Sequence, residues 1–210
     1  MEEQPRLLEL TGPDAQLAHH TYGATGIITE VEMPLAPAWP WIEALVAFPD
    51  YLQAVRFGVS LAQQTGITRK VVSVQEWPVP RLIQPFAPLV PEGHSICSTM
   101  IAKGNLVDFE GLVAAHGGTV VSTAPEGQGP YGSPIWEFVF GHALFQIQKT
   151  DPRRSMIEGF FRAPDLPALV ERVHAKVGHY GPMRMEILRV GGDVVLSLIH
   201  ISEPTRRRGI

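Results

Sequence analysis

The sequence predicts an α+β fold in which helices cover one face of a mainly antiparallel sheet. Three observations lead there. Runs of β-branched and aromatic residues alternate with helix-period segments in repeated strand–helix–strand cycles, and glycine and proline punctuate the joints. A content of 45% hydrophobic and 18% charged residues is that of an ordinary globular chain. At 210 residues the chain holds one good-sized domain or one and a half smaller ones, at roughly 100–200 residues per domain. The net charge of -4 leaves no basic face for a phosphate backbone, so nucleic acid is not an expected partner. The single cysteine, Cys97, excludes an intrachain disulfide, a zinc ribbon and a CxxC pair, and its apolar neighbourhood predicts a buried structural thiol. The amino terminus MEEQPRLLEL lacks an apolar signal core, and no run reaches the ~18 apolar residues of a spanning helix. A cytoplasmic protein with no membrane span is therefore expected.

Along the chain, the first predicted strand is Gly26–Met33, entered through the glycine-bearing turn Tyr22–Gly26 and closed by Pro34. Pro34, Pro37 and Pro40 make a stiff connector, because each proline fixes its own φ and pushes its predecessor toward extended conformations. A domain boundary is expected there, dividing residues 1–37 from 38–195. Trp41–Phe48 reads as a strand. Asp50 is placed to cap a helix from Tyr51 to about Thr65, with Leu52, Val55, Val59 and Ala62 on one stripe and Gly66 as its stop. Lys70–Gln75 returns as a strand. Pro78–Pro91, with five prolines, is expected to be an ordered loop. His94–Ala102 follows as a strand, Asn105 as the cap of a helix through Ala115, and Thr119–Ser122 as another strand. Ile135–Gln148 reads as an aromatic-rich strand broken at Gly141, and the last cycle is strand Met156–Arg162, a helix from Asp165 to Val177 and strand Met183–Val190. These cycles match ferredoxin-like modules.

The chain ends LSLIHISEPTRRRGI. Leu196–Arg206 resembles the conceptual translation of a sequencing-library adapter, so 196–210 is expected to be an artefact. Val194–Ile201 would pass as a strand on pattern alone, but a tail of foreign origin is set aside from fold reasoning.

No nucleophile elbow, phosphate loop, HExxH helix or GxGxxG fingerprint occurs. The most informative segment is Thr21–Val31, TYGATGIITEV. The small residues Gly23, Ala24 and Gly26 let backbone N–H groups approach a ligand or adopt positive φ, although a plain tight turn has the same pattern. His142 is a candidate for binding an anionic substrate, since an imidazole can donate to a carboxylate and accept a proton near neutral pH; the bland alternative is a hydrogen-bonded structural residue. Glu137 is a second candidate, against a solvated strand residue. His19 and His20 point to opposite faces in an extended chain and make a poor metal pair, so no metal site is predicted. Arg153 and Arg154, beside Asp151, could meet a substrate carboxylate but read more simply as a charged turn.

Residues 22–37, YGATGIITEVEMPLAP, resemble the end of the FAD-binding domain in the vanillyl-alcohol-oxidase (PCMH-type) family of FAD-linked oxidases, where a G-[ST]-x-G-[IV]-[IV]-T-x-[AV] segment lines the flavin. MPLAPAWPWIEALVAFPDYLQAVRFGVSLA and PIWEFVFGHALFQIQKTDP are similar to cap-domain segments of relatives of glycolate oxidase and D-lactate dehydrogenase. The resemblance covers about Leu8–Val195. It implies that Tyr22, Gly23, Ala24, Gly26, Ile27 and Ile28 lie against FAD, that His142 and Glu137 sit on the substrate side, and that the chain is a fragment. The parent would oxidise a small organic substrate such as a 2-hydroxy acid by hydride transfer to flavin. The fragment alone would be inactive and bind FAD weakly. The alternative is a non-catalytic ferredoxin-like ligand-binding or dimerisation module, and a homo-oligomer fits either reading.

Overall fold

A computed structural model of the chain describes residues 6–19, 21, 23–190 and 193–202. The chain divides into two compact units, Met1–Ala38 and Trp39–Ile210. In the first, a 3-10 helix spans Gly12–Ala18 with a proline in its first turn, and a tight turn precedes Gly26. The predicted strand Gly26–Met33 does not form. The segment is extended, but a strand exists only where its N–H and C=O groups meet a partner strand, and among the described residues none pairs with it. Ile27, Ile28, Val31, Met33 and Leu35 stand exposed along it.

The second unit is built on a seven-stranded sheet in the order β4-β1-β3-β2-β6-β7-β5, antiparallel at every pairing. Its strands are β1 (Trp41–Phe48), β2 (Arg69–Gln75), β3 (Ser95–Ala102), β4 (Thr119–Pro125), β5 (Ser155–Phe161), β6 (Met183–Val190) and β7 (Asp193–Ser202). With α1 (Tyr51–Gln63) after β1 and α3 (Leu106–Ala115) after β3, the first four strands form a complete β-α-β-β-α-β ferredoxin-like module. A second β-α-β-β run, β5, α5 (Leu166–Val177), β6 and β7, repeats the same pairing, with its third strand between its first and second. The fold is α+β, as the sequence predicts.

α1, α3 and α5 lie on one face of the sheet. Alternate strand residues, Val46 and Phe48, Val72 and Val74, Cys97 and Ile101, Met183 and Met185, meet Phe57, Leu61, Phe109 and Val170 from these helices. Phe57 stacks at 5.0 Å on Phe48 and edge-on at 6.2 Å to Phe109. α1 is buried over more than the predicted stripe, with Tyr51, Ala54, Phe57 and Leu61 inward as well, because α3 and α5 flank it. Asp50 caps it as read, Oδ1 accepting from Gln53 N at 2.9 Å. Asp50→Ala should cost about 1 kcal/mol, the usual loss for an N-cap, measured as a lowered urea midpoint at unchanged slope.

Several local expectations are corrected. Asn105 does not cap α3; its side chain accepts from Thr68 N at 3.0 Å and donates to Gly66 O at 2.9 Å, pinning the α1–β2 turn. Pro78–Pro91 contains a one-turn helix, α2 (Val79–Leu82). Ile135–Gln148 is no strand: Ile135–Phe138 is a 3-10 turn and α4 runs Phe140–Thr150. Both pack on the face opposite α1, where Phe86, Tyr131, Ile135, Phe138 and Ile147 cover Leu45, Val71, Ile96 and Met100. Leu196–Ser202, part of the segment set aside as a foreign tail, takes the strand that its pattern allows and forms most of β7. Leu196 and Leu198 point to one face and Ile201 to the other, the two-sided apolar character of an interior strand. Residues 203–210 lie outside the described residues.

Candidate functional site

The face opposite α1 is apolar with charged and polar residues set into it. β1 contributes Glu43, β2 Ser73 and Gln75, β3 Ser98, and β6 Arg184 and Glu186, all buried. They fasten the covering segments to the sheet. Glu43 Oε1 accepts from Gly127 N at 3.0 Å and Ile135 N at 2.8 Å. Gln75 Nε2 donates to Phe138 O at 3.2 Å. Phe140 is held at both ends of its backbone: its N–H donates to Glu186 Oε1 at 2.8 Å, and its carbonyl accepts from Arg184 Nη1 at 2.5 Å. Arg184 Nη2 also pairs with Glu186 Oε1, which accepts from Ser73 Oγ at 3.0 Å.

This clamp explains an unusual backbone. Phe140 has φ +50°, the left-handed region, which costs a residue with a Cβ roughly 1–2 kcal/mol. Two charge-assisted hydrogen bonds offset that. The kink ends the 3-10 turn and starts α4, and so places Glu137 before it against His142 after it, Nδ1 to Oε2 at 3.3 Å. The structure brings both candidates together on a half-exposed surface, on a helix and a 3-10 turn rather than on the one broken strand that the sequence predicts. Burial holds the Glu186 carboxyl above the usual carboxylate range, against the opposing pull of Arg184, the Phe140 N–H and Ser73. Among the described residues, Glu186 Oε2, Arg184 Nε, Gln75 Oε1, Glu43 Oε2 and Ser98 Oγ have no hydrogen-bond partner, a concentration of unmet polar atoms along one seam.

The sequence reading missed Arg184 and Glu186. Their signal is MRMEIL, two charges at alternate positions between methionines and isoleucine in a predicted strand. Alternation puts such charges together on one face, and the covering loop, not solvent, receives them. Arg153 and Arg154 both pair with Asp151, at 3.0 and 3.2 Å, and their hydrogen bonds, that of Arg153 foremost, hold the Asp151 carboxyl below its usual value. They form a charged turn. Cys97 is buried, and burial raises its thiol well above the ordinary range.

In the first unit, Gly23 has φ +80° and Gly26 φ +131°, conformations that a side chain rarely adopts. Ala24 N donates to Thr21 O at 2.9 Å, and the Thr21 and Thr25 hydroxyls share a hydrogen bond of 2.8 Å. Among the described residues, the N–H groups of Gly26, Ile27 and Ile28 donate to no carbonyl, and the Ile27 side chain is 92% exposed. A Cβ added at Gly23 or Gly26 would meet nothing within 4 Å. The turn thus offers accessible donors beside apolar surface, which fits the edge of a flavin. Tyr22 and His20 lie outside the described residues.

No family model and no curated protein matches the sequence. Among solved structures, alkyldihydroxyacetonephosphate synthase in P1 and in P212121 is similar to this chain at 12% identity, with TM-scores of 0.46 and 0.49. The similarity covers 80% of this chain and 38% and 37% of those chains, so this chain spans less than two fifths of their length. No helix among the described residues is long and apolar enough to cross a membrane.

Proposed function

We propose that the chain is part of an FAD-dependent oxidoreductase that oxidises a small organic substrate, a 2-hydroxy acid as the first candidate, by hydride transfer to flavin. The observation that carries this reading is the Thr21–Ile28 turn: its sequence resembles the flavin-lining segment of PCMH-type oxidases, and its backbone has two left-handed glycines, with N–H groups at Gly26, Ile27 and Ile28 that meet no carbonyl among the described residues. Bound FAD would supply the hydride acceptor. The backbone of Gly23, Ala24, Gly26 and Ile27 would hold it by hydrogen bonds, with Ile27 and Ile28 offering apolar contact and Tyr22 adjoining.

His142 and Glu137 are assigned to the substrate. His142 Nδ1 lies 3.3 Å from Glu137 Oε2, and with its proton turned toward that carboxylate the imidazole would offer Nε2 as the acceptor for a substrate hydroxyl. The test is a titration of the 15N-labelled chain with FAD. The amide resonances of Gly23, Ala24, Gly26, Ile27 and Ile28 should move progressively in fast exchange, as weak binding requires. Unmoved resonances at those five positions under millimolar FAD would contradict the reading, and a stoichiometric yellow complex would contradict the expectation of weak binding. A second reading, a non-catalytic ferredoxin-like module, is favoured by the completeness of the β1-α1-β2-β3-α3-β4 unit.

A further inference from the structure

Among the described residues β4 and β5 are the outer strands of the sheet, and their edges are treated differently. β4 carries a register shift opposite Leu45 and Val46, ends at Pro125, and has Thr119 and Thr123 as its exposed residues before the proline. Bulges, proline and polar side chains are the usual means of keeping an edge from pairing. β5 has neither a bulge nor a proline, and its one charge, Glu158, accepts from Ser197 Oγ at 2.5 Å. Its sequence SMIEGFF contains no proline or lysine, and Ile157 and Phe160, on opposite faces, are 71% and 66% exposed. Within the internal repeat, β5 stands where β1 stands in the first module, and the outer edge of β1 is covered by an antiparallel strand, β4.

We propose that the free edge of β5 is a dimerisation edge, to which β5 of a second copy of this chain adds antiparallel about a two-fold axis through Gly159. The register follows from the side chains. Centring on Glu158 sets two carboxylates directly opposite each other, which is unfavourable. Centring on Gly159 sets Ile157 against Phe161 twice on the helical face. On the other face it sets Phe160 against Glu158, and brings Glu158 diagonal to Arg162 of the partner strand. Arg162 now makes only an exposed pair with Asp193 at 3.4 Å, weak enough to exchange for the new contact. On the helical face Gly159 has no side chain at the two-fold centre, and the Phe161 ring lies over it. The interface is isologous and closes, as a dimer requires.

Sedimentation velocity across a concentration series tests this, together with hydrogen exchange. A monomer–dimer equilibrium is expected, with amides of 155–161 gaining protection as concentration rises. Ile157→Lys and Phe160→Lys should each raise the dimer dissociation constant by roughly tenfold or more, a change of ~1.4 kcal/mol. Val107→Lys, at an exposed position on α3, should leave it unchanged. A monomer at every concentration, a dimer indifferent to both β5 substitutions, or protection gained on β4 instead would overturn the proposal. Because exchange is read on the unsubstituted chain, a variant that failed to fold would not leave the question undecided.

Discussion

Arg184→Met is expected to lower stability by about 3–5 kcal/mol, the usual loss when one partner of a buried ion pair is removed. Arg184 and Glu186 are both fully buried, so the substitution strands a carboxylate in a low-dielectric interior and leaves the Phe140 carbonyl without its donor. The loss is a large fraction of the ~5–15 kcal/mol that holds a domain together. It should also depend on pH in a defined direction. The folded-state pKa of Glu186 is raised, so protonation favours the folded form: the contribution is full below the ordinary carboxylate range and is lost as pH rises through the raised value. Without Arg184 only the Phe140 N–H and the Ser73 hydroxyl oppose the desolvation. The deficit of the variant should therefore be greatest near neutral pH and shrink as pH falls far enough to protonate the carboxylate. Urea unfolding at several pH values reads this, and a pH-independent deficit would show that lost packing, not the stranded charge, dominates.

Phe86→Ala should also cost about 3–5 kcal/mol, the range for removing a buried phenyl ring. Phe86 is fully buried and packs at 5.0 Å on Phe138 and edge-on at 5.4 Å to Tyr131, so it joins the Pro78–Pro91 segment to the 3-10 turn that carries Glu137. The effect should be uneven. Amides of 135–142 should exchange faster than those of β1 and β3, because the ring anchors the cover while the helical face keeps its own core. Uniform acceleration over the whole sheet would contradict that division.

Much of the second unit was legible in the sequence. β1, α1, β3, α3, α5 and β6 follow from period, from Asp50 as a cap, and from glycine and proline at the joints. The strand order was not, since placing β3 between β1 and β2 depends on long-range pairing that no local pattern carries. Ile135–Gln148 was misread because its aromatic, β-branched composition suits a strand. Glu43, Gln75, Arg184 and Glu186 hold that stretch by its backbone instead, and such tertiary pegs override propensity. Gly26–Met33 shows the converse: strand-like residues stay extended but unpaired where, among the described residues, no partner strand meets them. At the candidate site, His142 and Glu137 were visible as chemistry, but their meeting depends on the left-handed turn at Phe140, and phenylalanine gives no sequence sign of positive φ.

The flavin assignment is tested most directly on the product of the source gene, extended in frame on both sides of residues 1–195 and purified without added cofactor. The expected result is a protein with the visible absorption of bound flavin that releases FAD on denaturation. A colourless product that takes up no FAD when it is supplied would contradict the assignment and leave the ferredoxin-like binding module as the better description.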